Sequence, residues 1–70
     1  MAELTRSVLT GRERQILALI ADGMSNGEIG AALYITPATA KSHVKAIFAR
    51  YGVNSRAQAV AAGFRAGDLR

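Results

Sequence analysis

Seventy residues without a cysteine make one small domain, near the lower limit for folding on a hydrophobic core alone, and exclude disulfides and thiolate metal sites. Half of the residues are apolar and a fifth are charged, which is a globular composition rather than a disordered one. No apolar run approaches the ~20 residues of a membrane span, and the start MAELTRSV has no signal-peptide apolar region, so a cytoplasmic location is expected.

In chain order, residues 1–8 are expected to form a flexible N-terminal arm. Thr10 with Glu13 has the spacing of a capping box and opens a helix over about 11–22. Ile16, Leu17, Leu19 and Ile20 supply its apolar face and Gly23 its stop. Arg12 and Arg14 read as solvated or cap-supporting. Ser25 with Glu28 repeats the box and opens a helix over about 26–33, with Met24 and Ile29 at hydrophobic-staple spacing and Ile29 and Leu33 as i, i+4 anchors. Thr36 followed by Pro37 is an N-cap with proline at the first helical position, opening a helix over about 37–51 that stops at Gly52. Ser55 with Gln58 reads as a third box, for a helix over about 56–66 before Gly67. Residues 68–70 are left as a tail, and 9–67 as the domain. No segment alternates with period two, so the expected fold is all-α with four helices.

The second and third helices, joined by a short connection, have the layout of a helix-turn-helix. On the third helix, Ala38, Lys41, Ser42, Lys45 and Ala49 fall on one face, while Ala40, Val44, Ile47, Phe48 and Tyr51 form an apolar stripe on another. Such a helix can be held by a core and offered to DNA. The charge agrees. The net +4 is concentrated in residues 29–67, which carry Lys41, Lys45, Arg50, Arg56 and Arg65 with no acid. Tyr34, between the two helices, either braces the turn or touches a phosphate. A lone His43 beside an apolar stripe reads as a packing or backbone-contacting residue rather than a catalytic one. The fourth helix is alanine-rich, and Ala57, Gln58, Ala61, Ala62 and Arg65 are candidates for pairing with a twin helix.

Taken together, the chain resembles the LuxR-type (GerE-like) helix-turn-helix domain of bacterial transcription regulators, the effector domain of many response regulators. The residues that carry the resemblance span about 9–64. They are Leu9-Thr10 and Arg12-Glu13-Arg14, then Ile20-Ala21, Gly23, Ser25-Asn26, Glu28-Ile29 and Leu33. The series continues through Thr39, Lys41, His43, Val44, Ile47, Gly52-Val53, Ser55-Arg56, Gln58, Ala59 and Val60. The resemblance implies that Lys41, Ser42 and Lys45 face base edges in the major groove. It implies that Asn26, Thr39 and His43 lie near phosphates; Thr36 at the helix N-terminus, Arg50 and Arg56 are further phosphate candidates. Gly11, Gly27, Gly30 and Ala40 depart from the family pattern. The glycines are expected to soften the first two helices, and Gly27 to delete a phosphate contact.

The partners implied are double-stranded DNA, a second copy through the fourth helix, and RNA polymerase; no cofactor, metal, membrane or small-molecule ligand is expected. Two rivals share the fold: a promoter-binding domain resembling sigma-factor region 4, and a helix-turn-helix repurposed for protein–protein interaction. A catalytic reading finds no glycine-rich phosphate loop, no nucleophile with a base at a recognisable spacing and no paired carboxylates.

Overall fold

The computed structural model describes residues 7–70, and four helices make up its regular structure: α1 (Gly11–Ala21), α2 (Asn26–Leu33), α3 (Pro37–Tyr51) and α4 (Arg56–Ala66). No strand occurs among the described residues. Most of the expected N-terminal arm, residues 1–6, lies outside them.

Each helix starts where a side-chain oxygen can take the otherwise unpaired amides of a first turn. Thr10 and Ser25 form complete capping boxes with Glu13 and Glu28. Thr36 accepts from the Thr39 amide at 3.0 Å, with Pro37 opening α3 behind it. The third box is only half formed: Ser55 Oγ accepts from the Gln58 amide, but Gln58 Oε1 accepts from the amide of Asn54 rather than that of Ser55. The cap residue Ser55 is extended at φ −146°, whereas Thr10, Ser25 and Thr36 lie near −75°. Helix ends follow the glycines: Gly52 and Gly67 cap α3 and α4 in the left-handed region, and Gly23 follows the Asp22 cap of α1. α1 therefore closes at Ala21, one residue before its expected end.

The helices meet around Leu9, Ile16, Leu17, Ile20, Ile29, Ala40, Val44, Ile47 and Ala59, all buried. Met24, Leu33, Ile35, Phe48, Tyr51, Val53 and Val60 pack partly buried around them. The apolar stripe of α3 is thus committed to the core, and its other face is left in solvent.

Three features of the packing run against simple propensity. Gly30 lies on the inner side of α2 where the chain turns into α3; a Cβ there would stand 2.6 Å from the Ile35 carbonyl oxygen. This glycine is required by the close approach of the turn, not a mere softening of α2. Gly63 likewise admits Leu17 of α1 and Leu69, whose side-chain carbons would lie 2.8 and 2.9 Å from an added Cβ. Residues 68–70 are consequently not a free tail: Leu69 packs against the core, and the amides of Asp68 and Leu69 both donate to the Gly63 carbonyl. Third, α2 ends on Tyr34 at φ 59°, the one non-glycine residue with positive φ among those described. For a bulky residue that conformation costs on the order of 1 kcal/mol.

Gly30→Ala is expected to destabilise the fold by about 1–3 kcal/mol, because backbone must move to admit the methyl. At Gly27 a Cβ would meet nothing closer than Ser25 Oγ at 3.9 Å. Gly27→Ala is expected to stabilise by up to about 1 kcal/mol through helix propensity. Urea denaturation of the two variants should move in opposite directions.

Candidate nucleic-acid interface

The outer face of α3 is built by subtraction. With Ala40, Val44 and Ile47 buried, Ala38, Lys41, Ser42, Lys45 and Ala49 are all exposed. Neither lysine is in an ion pair among the described residues. Four residues on a helix advance about 6 Å, so the two ammonium groups sit nearly two base-pair rises apart on one side. Ser42 lies beside them as a short group able to donate or accept. The alanines keep the backbone accessible for close approach.

At the N-terminus of α3, Thr36 and Thr39 are both exposed and bonded to each other. Thr36 Oγ1 accepts from the Thr39 amide and donates its proton to Thr39 Oγ1 at 2.9 Å. Thr39 therefore bonds back to its cap's hydroxyl and keeps its own proton to give outward. His43 is half-buried on the flank of the apolar stripe.

The arginines are differently employed. Arg50 Nε contacts Glu13 Oε1 at 2.8 Å, and that same oxygen accepts from the Thr10 amide at 2.9 Å. A carboxylate on a side chain 6 % exposed thus caps α1 and holds the last turn of α3 at once. Arg50 itself remains 45 % exposed on its side chain. Arg56, the first residue of α4, donates from Nη1 to the Met24 carbonyl at 2.9 Å and from Nη2 to Asn26 Oδ1. This fastens the N-terminus of α4 to that of α2 and leaves the Asn26 amide NH₂ as the donor end of that side chain. Arg14 supports the start of α1 by donating to the Leu9 carbonyl at 3.0 Å, and Arg12 reaches Gln15.

On α4, Ala57, Gln58, Ala61 and Arg65 are exposed and Ala62 is half-buried. Phe64 is 53 % exposed, at the edge of a shallow groove of about 660 Å³ between the end of α1 and the segment after α4. Tyr34 does not brace the turn: it is 95 % exposed.

Three contacts had no signal in the sequence: Glu13 with Arg50, Arg56 with Asn26, and Tyr51 with Asp68. In the last, the phenol donates to Asp68 Oδ2 and closes the C-terminal segment over the end of α3. Burial, then the hydrogen bond and the negative charge of Asp68, raise the Tyr51 pKa well above its ordinary value near 10, while Arg14 opposes them.

Residues 7–62 match the family described as bacterial regulatory proteins, luxR family. Over 58 residues the chain is 47 % identical to the probable transcriptional regulatory protein NarL of Mycobacterium tuberculosis, covering 83 % of this chain and 27 % of that protein. Over 60 residues it is 47 % identical to the transcriptional regulatory protein DegU of Brevibacillus brevis, covering 86 % and 25 %. The solved structure of the transcription factor GerE superposes with a TM-score of 0.85 at 37 % identity, covering 93 % of this chain and 97 % of that one. The fold and its exposed helix are those of a helix-turn-helix DNA-binding domain of transcription regulators. The chain belongs to the luxR family of bacterial regulatory proteins. That match decides against the sigma-factor reading. The chain spans about a quarter of the length of the curated relatives it matches. No helix among the described residues is long and apolar enough to cross a membrane.

The Tyr51 phenol is expected to tie stability to alkaline pH. Its folded pKa lies above the unfolded one, so its contribution is complete below about pH 10 and declines as pH rises beyond it. Chemical denaturation between pH 8 and 11 should show a steeper loss in the parent chain than in Tyr51→Phe, which lacks the titrating group.

Proposed function

We propose that this chain reads double-stranded DNA in a sequence-specific way, with α3 in the major groove and Lys41, Ser42 and Lys45 on the base edges. The observation that carries the reading is the exposed face of α3, where two lysines without ion-pair partners among the described residues flank a serine opposite a buried apolar stripe. The major groove admits one helix and offers acceptors chiefly at guanine N7 and O6, which suits two ammonium donors at this spacing. Phosphate contacts come from donors around the same helix. The Thr39 hydroxyl, held in place by Thr36, and the Ala38 amide lie at its N-terminus, the Asn26 NH₂ on α2, and His43, Arg50 and Arg56 on the flanks. Arg56 does double service here, since it also orients Asn26.

The domain acts as a homodimer through the outer face of α4, using Ala57, Gln58, Ala61, Ala62 and Arg65, so that two copies of α3 meet two half-sites. It works in the bacterial cytoplasm, and its bound form presents a surface to RNA polymerase. The names of the relatives support regulation of transcription as the activity of the whole protein.

Selection of duplexes from a random library, followed by titration of the winner at several salt concentrations, tests this reading. A paired motif with steep salt dependence is expected. Lys41→Ala or Lys45→Ala should cost about 1–3 kcal/mol and relax preference at one or two base positions. Arg56→Ala should weaken all sequences alike and reduce the salt slope by about one. Equal weakening of selected and scrambled duplexes by both kinds of variant would refute the division into base and phosphate contacts. Absence of binding at low salt would leave the repurposed protein-interaction domain as the better reading.

A further inference from the structure

Tyr34 has a side chain that the fold does not use. Its backbone completes the turn: its own amide and that of Ile35 both donate to the Gly30 carbonyl. A glycine would do this without strain, since φ 59° is where residues other than glycine are disfavoured. The ring is nevertheless there, 95 % exposed, and the phenol has no hydrogen-bond partner among the described residues. Leu33 and Ile35 on either side take the inward positions, so Tyr34 is turned out between them.

The surroundings select the ligand. Tyr34 is two residues before Thr36, the N-cap of α3, whose hydroxyl bonds that of Thr39; the first turn of α3 leaves the Ala38 amide without an intrahelical partner. Residues 29–67 contain five cations and no carboxylate to oppose an anion. A helix is about 10–12 Å across and the major groove about 12 Å wide, so groups flanking the N-terminus of an inserted helix meet the groove wall, which is sugar and phosphate.

We infer that Tyr34 grips the DNA backbone at the mouth of the major groove, its phenol donating to a phosphate oxygen and its ring lying against the sugar. The inference rests on the DNA-binding reading and extends it to a residue that reading gives no role. Tyr34 is a positioning contact: it fixes how α3 enters the groove and reads no base.

The test is titration of the selected duplex with the parent chain, Tyr34→Gly, Tyr34→Phe and Lys45→Ala at several salt concentrations, together with thermal melting of each. Loss of a hydrogen bond to a charged group should weaken Tyr34→Gly about tenfold. The slope of log affinity against log salt should stay that of the parent, because a neutral phenol releases no counterion. The melting temperature should be unchanged or higher, because glycine accepts the left-handed turn. Tyr34→Phe should bind more weakly than the parent; full affinity would overturn donation by the phenol. Parent-like affinity of Tyr34→Gly beside a weakened Lys45→Ala would overturn the Tyr34 contact alone. A lowered melting temperature in Tyr34→Gly would overturn it in favour of a structural brace. No binding by the parent chain would overturn both this inference and the reading beneath it.

Discussion

Ala40, Val44 and Ile47 have to leave water, and the apolar surfaces that receive them are those of α1, α2 and α4. Almost everything else in the molecule follows from that burial. Once the inner side of α3 is fixed, the outer side is fixed with it, because residues on a helix cannot rotate independently. The close contact at Gly30 sets how near α2 and α3 approach, and Glu13 ties the far end of α3 to the start of α1. A core of nine buried apolar residues among those described is small, and these polar and steric contacts at its rim hold the helices where the core alone would leave them looser.

The distribution of cationic side chains shows a division of labour between arginine and lysine. Arg14, Arg50 and Arg56 have partners within the chain: two carbonyls, one carboxylate and one side-chain amide. A planar guanidinium with several fixed donors is suited to joining two elements in one geometry. Lys41 and Lys45 are compact charges on flexible stems, and the structure leaves both outside. Among these five cations, those tied into the fold are arginines and the two left without a partner among the described residues are lysines. Net charge alone would not separate them.

The parts of the fold that were legible in the sequence are the local ones. Thr10, Ser25, Thr36 and Ser55 act on amides three residues ahead, and Gly52 and Gly67 end the helices just before them, so the bounds of α2, α3 and α4 could be read from neighbours in the chain. The exposed face of α3 was legible for the same reason, since helical period alone sorts Lys41 and Lys45 from Val44 and Ile47. Contacts across the fold were not. Glu13 and Arg50, Asn26 and Arg56, and Tyr51 and Asp68 are brought together by packing, and nothing in their spacing announces it. Gly30 and Gly27 look alike in sequence as helix-weakening glycines. Only the approach of the Ile35 carbonyl separates the one that is required from the one that is not. Gln58 was misassigned within its cap because the extended Ser55 leaves the Asn54 amide as the group its side chain meets.

The anchoring of α4 has a consequence for the spacing of paired sites. Arg56 holds its N-terminus to α2, while Leu69 and the Tyr51–Asp68 bond hold the segment after it to α1 and α3. α4 and α3 therefore move as one body. If two copies join through α4, the distance and angle between their two α3 helices are set without a hinge. One base pair added between half-sites turns the second by roughly 34–36° about the duplex axis. A rigid pair cannot follow that turn. The misfit would have to be taken up by twisting or bending of the DNA, so such a pair would measure torsional compliance of the spacer as well as the letters on either side.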